Sequence, residues 1–124
     1  MQNKKINFGP IALTATTTTN ILNPAITSLA GPVGFTATQP YLMVSHIRIT
    51  NKTAGAVTFS LWKGATGGNA AGTEIIGTGV SVAANSYNDY YTPGLRLDAA
   101  DFLVGGASAG TSLTISGTME IGFV

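Results

Sequence analysis

Nucleophilic catalysis needs a nucleophile, a base and an orienting group within reach of one another, and this chain offers few residues for any of these roles. His46 is the single imidazole, and there is no cysteine. Thiolate zinc sites, cysteine nucleophiles and disulfide scaffolds are therefore excluded, and one histidine per chain supplies no multi-histidine metal centre. Gly106-Ala107-Ser108-Ala109-Gly110 matches the letters G-x-S-x-G. A nucleophile elbow, however, requires a strand before it, a helix after it and the histidine later in the chain. Here a strand pattern follows and His46 comes earlier, so the segment reads as a small-residue hairpin loop. Ser45, next to His46, points to the other face of a strand and forms no local pair with it. No catalytic residue is expected, and the chain is not read as an enzyme.

The acidic residues give a similar answer. Asp98 and Asp101 are three apart in a turn, where aspartate side chains accept backbone N–H bonds. A weak calcium site built from these two with loop carbonyls is the alternative, although the EF-hand spacing is absent. No spacing among Glu74, Asp89, Asp98, Asp101 and Glu120 singles out a glycosidase pair. The loop from Gly64 to Gly72 lacks the Gly-Lys-Ser/Thr ending of a phosphate loop, and no helix pattern follows it. Asn51-Lys52-Thr53 fits the glycosylation pattern, but no apolar secretory run follows Lys4 and Lys5. No cofactor or metal is expected.

Binding is the better-supplied chemistry. Trp62 alternates with Phe59 and Leu61 in a way that turns it outward, where an indole on a neutral sheet is an interface anchor; a bulge or a covering loop would return it to the core. Tyr87, Tyr90 and Tyr91 form a second aromatic group, suited to subunit contact or to stacking on carbohydrate. Arg48 and Arg96 are isolated charges in neutral strands, expected to pair with Asp89, Asp98 or Asp101 across an interface. Ile6 and Phe8, on an N-terminal strand or arm, complete the set of candidate interface residues.

These residues are set in a chain of unusual composition. Its 124 residues make one domain with one core. Charged residues amount to 9%, against about 25% in ordinary soluble domains. From Ile6 to Ile47 there is no Lys, Arg, Asp or Glu. Six basic and five acidic residues leave a net charge of +1, with no concentrated basic surface for nucleic acid. No run approaches the ~18 apolar residues of a membrane helix. The 44% hydrophobic content supports folding rather than disorder. A surface so neutral, rich in Thr, Ser, Ala and Gly, is expected to be covered by a partner.

The elements that must position these residues are strands. From Thr111 to Val124, Leu113, Ile115, Met119, Ile121 and Phe123 fall on one face with Gly117 in register, and Gly117 is expected to mark a bulge or bend. Tyr41 to Thr50 carries Tyr41, Met43, Ile47 and Ile49 on one face and Leu42, Val44, His46 and Arg48 on the other, which predicts a strand that is central or covered on two sides. A turn at Asn51 to Gly55 leads into Ala56 to Lys63 as its hairpin partner. Thr73 to Val82 reads as two short strands or one bulged strand. Ser86 to Thr92 is a strand broken by Pro93-Gly94, after which Leu95 and Leu97, then Phe102 to Val104, form short strands. Ile6 to Leu22 is β-prone, and Asn23 to Pro40 is a proline-bearing loop. Seven or eight strands at turn spacings of about ten residues predict an all-β sandwich or barrel. Residues 1–40 supply an N-terminal strand or arm and the long loop, and residues 41–124 the sandwich body of the same domain.

Four runs carry a resemblance: Val44 to Gly64, Val82 to Tyr87, Leu95 to Leu103, and Leu113 to Ile121. Their order of elements, with an Ala-Asn-Ser turn, a Leu-x-Leu-x-Ala-x-Asp corner and a Ser-Gly-x-x-Glu-Ile end, resembles that of small all-β proteins of bacteriophage virions. The resemblance spans about Tyr41 to Val124. It implies a jelly-roll-like sandwich located in the virion, as a capsid decoration (cement) protein that binds the major capsid protein, or as a tail- or fibre-associated subunit that binds a receptor or glycan. It also implies self-association, with a homotrimer favoured because such proteins sit at three-fold points. The N-terminal arm and the loop from Asn23 to Pro40 are the segments expected to reach the neighbour.

Overall fold

The computed structural model describes residues 4–23, 40–98 and 100–123. The loop segment 24–39 and the side chain of Phe123 lie outside the described residues. Eight strands are formed: β1 (Lys4–Ala12), β2 (Asn20–Leu22), β3 (Pro40–Asn51), β4 (Val57–Gly64), β5 (Val80–Val82), β6 (Ser86–Leu97), β7 (Phe102–Ala107) and β8 (Leu113–Phe123). They make two four-stranded antiparallel sheets in the orders β1-β8-β3-β6 and β2-β7-β4-β5. This is a jelly roll: the strand count and turn spacing predict a sandwich or barrel, and the resemblance implies the jelly-roll form. Among the described strands, β4 and β5 are the one pair of chain neighbours that also pair in a sheet; every other connection passes from one sheet to the other.

Alternation places the core between the sheets. Leu113, Ile115, Met119 and Ile121 of β8 face Val57, Phe59 and Leu61 of β4, all of them buried. β3 is central, between β8 and β6, as expected. Its two-faced pattern has a different cause from cover on both sides. Val44 pairs with Met119 and His46 with Thr118, so Ser45 is a surplus residue opposite none on β8. That bulge reverses the parity of the strand. Leu42 and Val44 point inward before it, Ile47 and Ile49 after it, and all four are buried. Met43, His46 and Arg48 share the outer face.

The neighbouring strands carry matching irregularities. On β6, Thr92, Pro93 and Gly94 occupy the step opposite Ser45, so Pro93-Gly94 kinks one twelve-residue strand instead of ending it. Gly94 takes φ +86° there, and the Thr92 hydroxyl donates to the Val44 carbonyl at 2.8 Å. On β1, Gly9 and Pro10 together oppose the single Ser116 between Phe8 and Ile11. β8 itself runs through without a break. Gly117 is required for another reason: a Cβ there would run into the His46 carbonyl and the Phe8 ring.

Two expected hairpins are sheet-crossing corners. β3 and β4 lie in different sheets, and so do β7 and β8. The first corner is built on Asn51, 1% exposed. Its Nδ2 donates to the carbonyls of Gly55 (2.9 Å) and Val82 (3.1 Å), and its Oδ1 accepts from the Thr53 amide (2.9 Å) and hydroxyl (2.7 Å). Alternation around a polar turn looks the same for a corner as for a hairpin; the buried amide that binds three segments makes the difference. At the second corner, Ser108 exchanges bonds with Thr58, its amide donating to the Thr58 carbonyl and its hydroxyl accepting from the Thr58 amide. The segment from Thr73 to Gly77 bonds along the edge of β4 ahead of β5, so one irregular strand is the better description of Thr73 to Val82.

Asn51→Ala should take the amide donor from the Gly55 and Val82 carbonyls and the acceptor from the Thr53 amide, and lower stability by about 2–3 kcal/mol. Chemical denaturation measures this directly, and a loss near zero would show that the corner does not depend on the amide.

Candidate binding surface

The bulge at Ser45 brings His46 and Arg48 to the outer face of the β1-β8-β3-β6 sheet. β6 lies beside them with Thr50 paired to Tyr87, Arg48 to Asp89 and His46 to Tyr91. Tyr87, Asp89 and Tyr91 alternate with Asn88 and Tyr90, so these three also point outward. A stripe results in which each member touches the next. Arg48 packs its guanidinium over the Tyr87 ring at 4.4 Å. It grips Asp89 with two bonds, Nε to Oδ1 at 2.7 Å and Nη2 to Oδ2 at 3.0 Å. His46 Nε2 lies 2.9 Å from the same Oδ1, and its ring stands 5.1 Å from that of Tyr91. Tyr87 is 54% exposed and Tyr91 77%.

Electrostatically the stripe is closed on itself. The Arg48 hydrogen bond, with a smaller contribution from His46, pulls the Asp89 carboxyl down to about 2, and Asp89 in turn raises Arg48. The pair is neutral as a unit. Because the folded value lies below that of a free aspartate, the pairing stabilises the face above about pH 4 and is lost as pH falls toward 2. Beside the stripe, Asn7, Pro10, Ser116 and Thr118 line a shallow hollow of about 390 Å³ with His46 and Arg48. A second hollow of about 540 Å³ continues over Lys5, Met43, Ser45 and Glu120.

Several expected interface residues are placed elsewhere. Trp62 is 8% exposed, not an open anchor; it pairs with Val104, itself 0% exposed, on the side of β4 and β7 away from Leu61 and Leu103. Tyr90 turns toward the core, its ring edge-on to Phe59 at 5.8 Å. Phe8 is fully buried and Ile6 packs partly against the core, so residues 4–12 are a strand of the sandwich and not a free arm. Arg48 and Arg96 pair within the chain instead of across an interface. Arg96 Nε donates to Asp98 Oδ1 at 2.8 Å, with the guanidinium 4.0 Å over the Tyr41 ring. Arg48, Tyr87 and Tyr91 stay on the open face. Asp89 is one of the partners expected for Arg48, and the strand register brings His46 to the same carboxylate.

The catalytic alternatives find no geometry. The Ser45 hydroxyl engages Thr118 (3.2 Å to its carbonyl), and Ser108 lies in the other sheet, bonded to Thr58. Asp98 and Asp101 serve their turn: Asp101 Oδ2 accepts from the Asp98 amide at 3.0 Å, and the Asp101 amide donates to the Asp98 carbonyl at 2.9 Å. Lys63 stands 3.9 Å from Asp101. Among the described residues no three acidic or imidazole groups converge as a metal site would require.

A charge-free, threonine-rich part of the chain lies along the other sheet. The Thr14 carbonyl accepts from the Ala107 amide and the Thr19 carbonyl from the Gly105 amide, so the threonine-rich segment lies along β7 ahead of β2. A Cβ at Gly106 would strike the Thr16 and Thr14 carbonyls, which is why that position holds glycine. Asn20 Oδ1 then accepts from the Gly67 amide at 2.8 Å and draws in the glycine-rich loop. Residues 6–23, 64–73 and 102–119 contain no Lys, Arg, Asp or Glu.

No protein-family model and no curated protein matches the chain. In fold it is similar to the coat protein of tobacco streak virus. The coat-protein dimer structure matches with a TM-score of 0.51 and 15% identity, over 96% of this chain and 84% of that one. A second crystal form of that coat protein gives 0.49 and 11%, over 96% and 83%. The likeness lies in the arrangement of the strands.

An NMR titration of the Asp89 carboxyl should show a midpoint of about 2, returning toward the ordinary 3.8 in Arg48→Ala. An unshifted midpoint in the unaltered chain would mean that the Arg48 pairing does not persist in solution.

Proposed function

We propose that the chain is a structural protein of a bacteriophage particle, a decoration protein that binds the outside of the capsid shell through neutral, hydroxyl-rich surface. The observation that carries this reading is the convergence of three charge-free stretches on one side of the sandwich. Thr14, Ala15, Thr16 and Thr18, the loop from Ala65 to Gly72, and Ser108 to Thr111 lie there, and most of these positions are exposed. A surface of small uncharged side chains loses little conformational entropy and strips no ions when covered. Such contacts are also little affected by salt. The jelly roll shared with a viral coat protein supports the reading at the level of fold, and the resemblance over residues 41–124 supports the phage assignment. The partner is the major capsid protein, and the chain assembles as a homotrimer, since a closed ring covers the strand edges that an isolated sandwich leaves open.

Quantitative mass spectrometry of purified particles is the test. Hundreds of copies per particle are expected of a shell decoration. A few dozen would assign the chain to the tail or fibre instead, and absence from the particle would overturn both assignments. Attachment should also be lost when charge is placed on the neutral side. Ala15→Glu with Ala109→Glu, both at exposed positions, should abolish co-sedimentation with undecorated shells while leaving the unfolding midpoint unchanged. Retained binding would move the contact to another face.

A further inference from the structure

We propose that the stripe Tyr87–Arg48–Asp89–His46–Tyr91 is a binding site for a neutral oligosaccharide lying along β6. The site is on the opposite sheet from the proposed shell contact and does not rest on it. Tyr87 and Tyr91 are four residues apart on one strand face, a span of about 13 Å. Each ring has a neighbour against it, the Arg48 guanidinium over Tyr87 and the tilted His46 ring beside Tyr91, and yet is more than half exposed. Rings fixed in this way offer apolar faces without a further loss of rotamer freedom on binding, and the apolar face of a sugar ring is a suitable partner for them.

Between the rings the chemistry is polar and directional. Asp89 and Arg48 keep 24% and 44% of their side-chain surface in water. A sugar hydroxyl both donates and accepts, so it can replace that water at the carboxylate and the guanidinium together. An apolar protein surface laid over the same pair would desolvate it without return. Arg48 is already neutralised by a two-bond grip on Asp89, which leaves no surplus positive charge to select an acidic sugar or a phosphate. The adjoining hollow is shallow and offers Asn7, Ser116 and Thr118 as further hydroxyl and amide partners for a chain of sugars rather than a pocket for one, and the hollow beyond it adds the cross-strand neighbours Lys5 and Glu120.

The test is a printed array of neutral and acidic oligosaccharides probed with the intact chain, followed by titration of the best neutral ligand. Tyr91→Ala should weaken that ligand by about tenfold, and Tyr87→Ala with Tyr91→Ala should abolish detectable binding. Both side chains are exposed, so circular dichroism and the unfolding midpoint should not change. Asp89→Asn tests the polar part and should weaken binding with the tyrosines in place. Failure to bind any neutral oligosaccharide, binding only to acidic ones, or binding that survives the double variant would each overturn the proposal. Loss of shell attachment in the double variant without glycan binding would also overturn it and assign the stripe to protein contact.

Discussion

The outer face of the β1-β8-β3-β6 sheet depends on one surplus residue. Were Ser45 paired in regular alternation instead of bulged, β3 would continue in the parity set by Leu42 and Val44, burying His46 and Arg48 and exposing Ile47 and Ile49. A buried, unpaired guanidinium is among the costlier things a core can contain, and two exposed isoleucines forfeit several kcal/mol of burial, about 1.5–3 each. The bulge resolves both conflicts together. β6 must follow, and its Thr92–Gly94 irregularity keeps Leu95 and Leu97 facing inward while Tyr91 and Asp89 stay outward. The stripe of aromatic and charged groups is thus a consequence of how two hydrophobic pairs on β3 are brought to the same side.

The molecule divides its scarce charge unevenly. Asp89 and Asp98 are gripped by Arg48 and Arg96, and Asp101 stands near Lys63. These groups belong to β3, β4, β6 and the turn that follows β6. The threonine run, the glycine loop and the β7–β8 corner have none, and they are tied together by backbone bonds rather than by side-chain ion pairs. One side of the sandwich therefore carries directional polar chemistry with exposed rings. The other, apart from the Lys63–Asp101 pair and Glu74, presents small uncharged side chains. A protein that must attach through one side and present another has use for such a separation.

Much of the fold was legible because period-two alternation survives in long strands. Leu113, Ile115, Met119 and Ile121 read correctly, as did Val57, Phe59 and Leu61, and the Asp98–Asp101 turn followed from aspartate chemistry alone. What failed has a common cause: local pattern does not reveal which sheet a strand joins or where an extra residue reverses its parity. Asn51 looked like a turn residue, and only its contacts to Gly55 and Val82 make it a corner between sheets. Trp62 obeyed alternation and points away from the core, yet it is buried there. At the site, Arg48, Tyr87 and Tyr91 were found as exposed candidates. Asp89 was one of three candidate partners for Arg48; that it is the one used, and that His46 shares it, is set by cross-strand register and not by spacing along the chain.

An electron cryomicroscopy map of the intact particle examines the whole picture most directly. It should show three copies of this sandwich around each three-fold point of the shell, with the Thr14–Asn20 segment and the β7–β8 corner against the capsid and the β3–β6 stripe facing solvent. A map in which the sandwich is missing from the shell, or in which the stripe is buried against it and the neutral side is open, would contradict that arrangement.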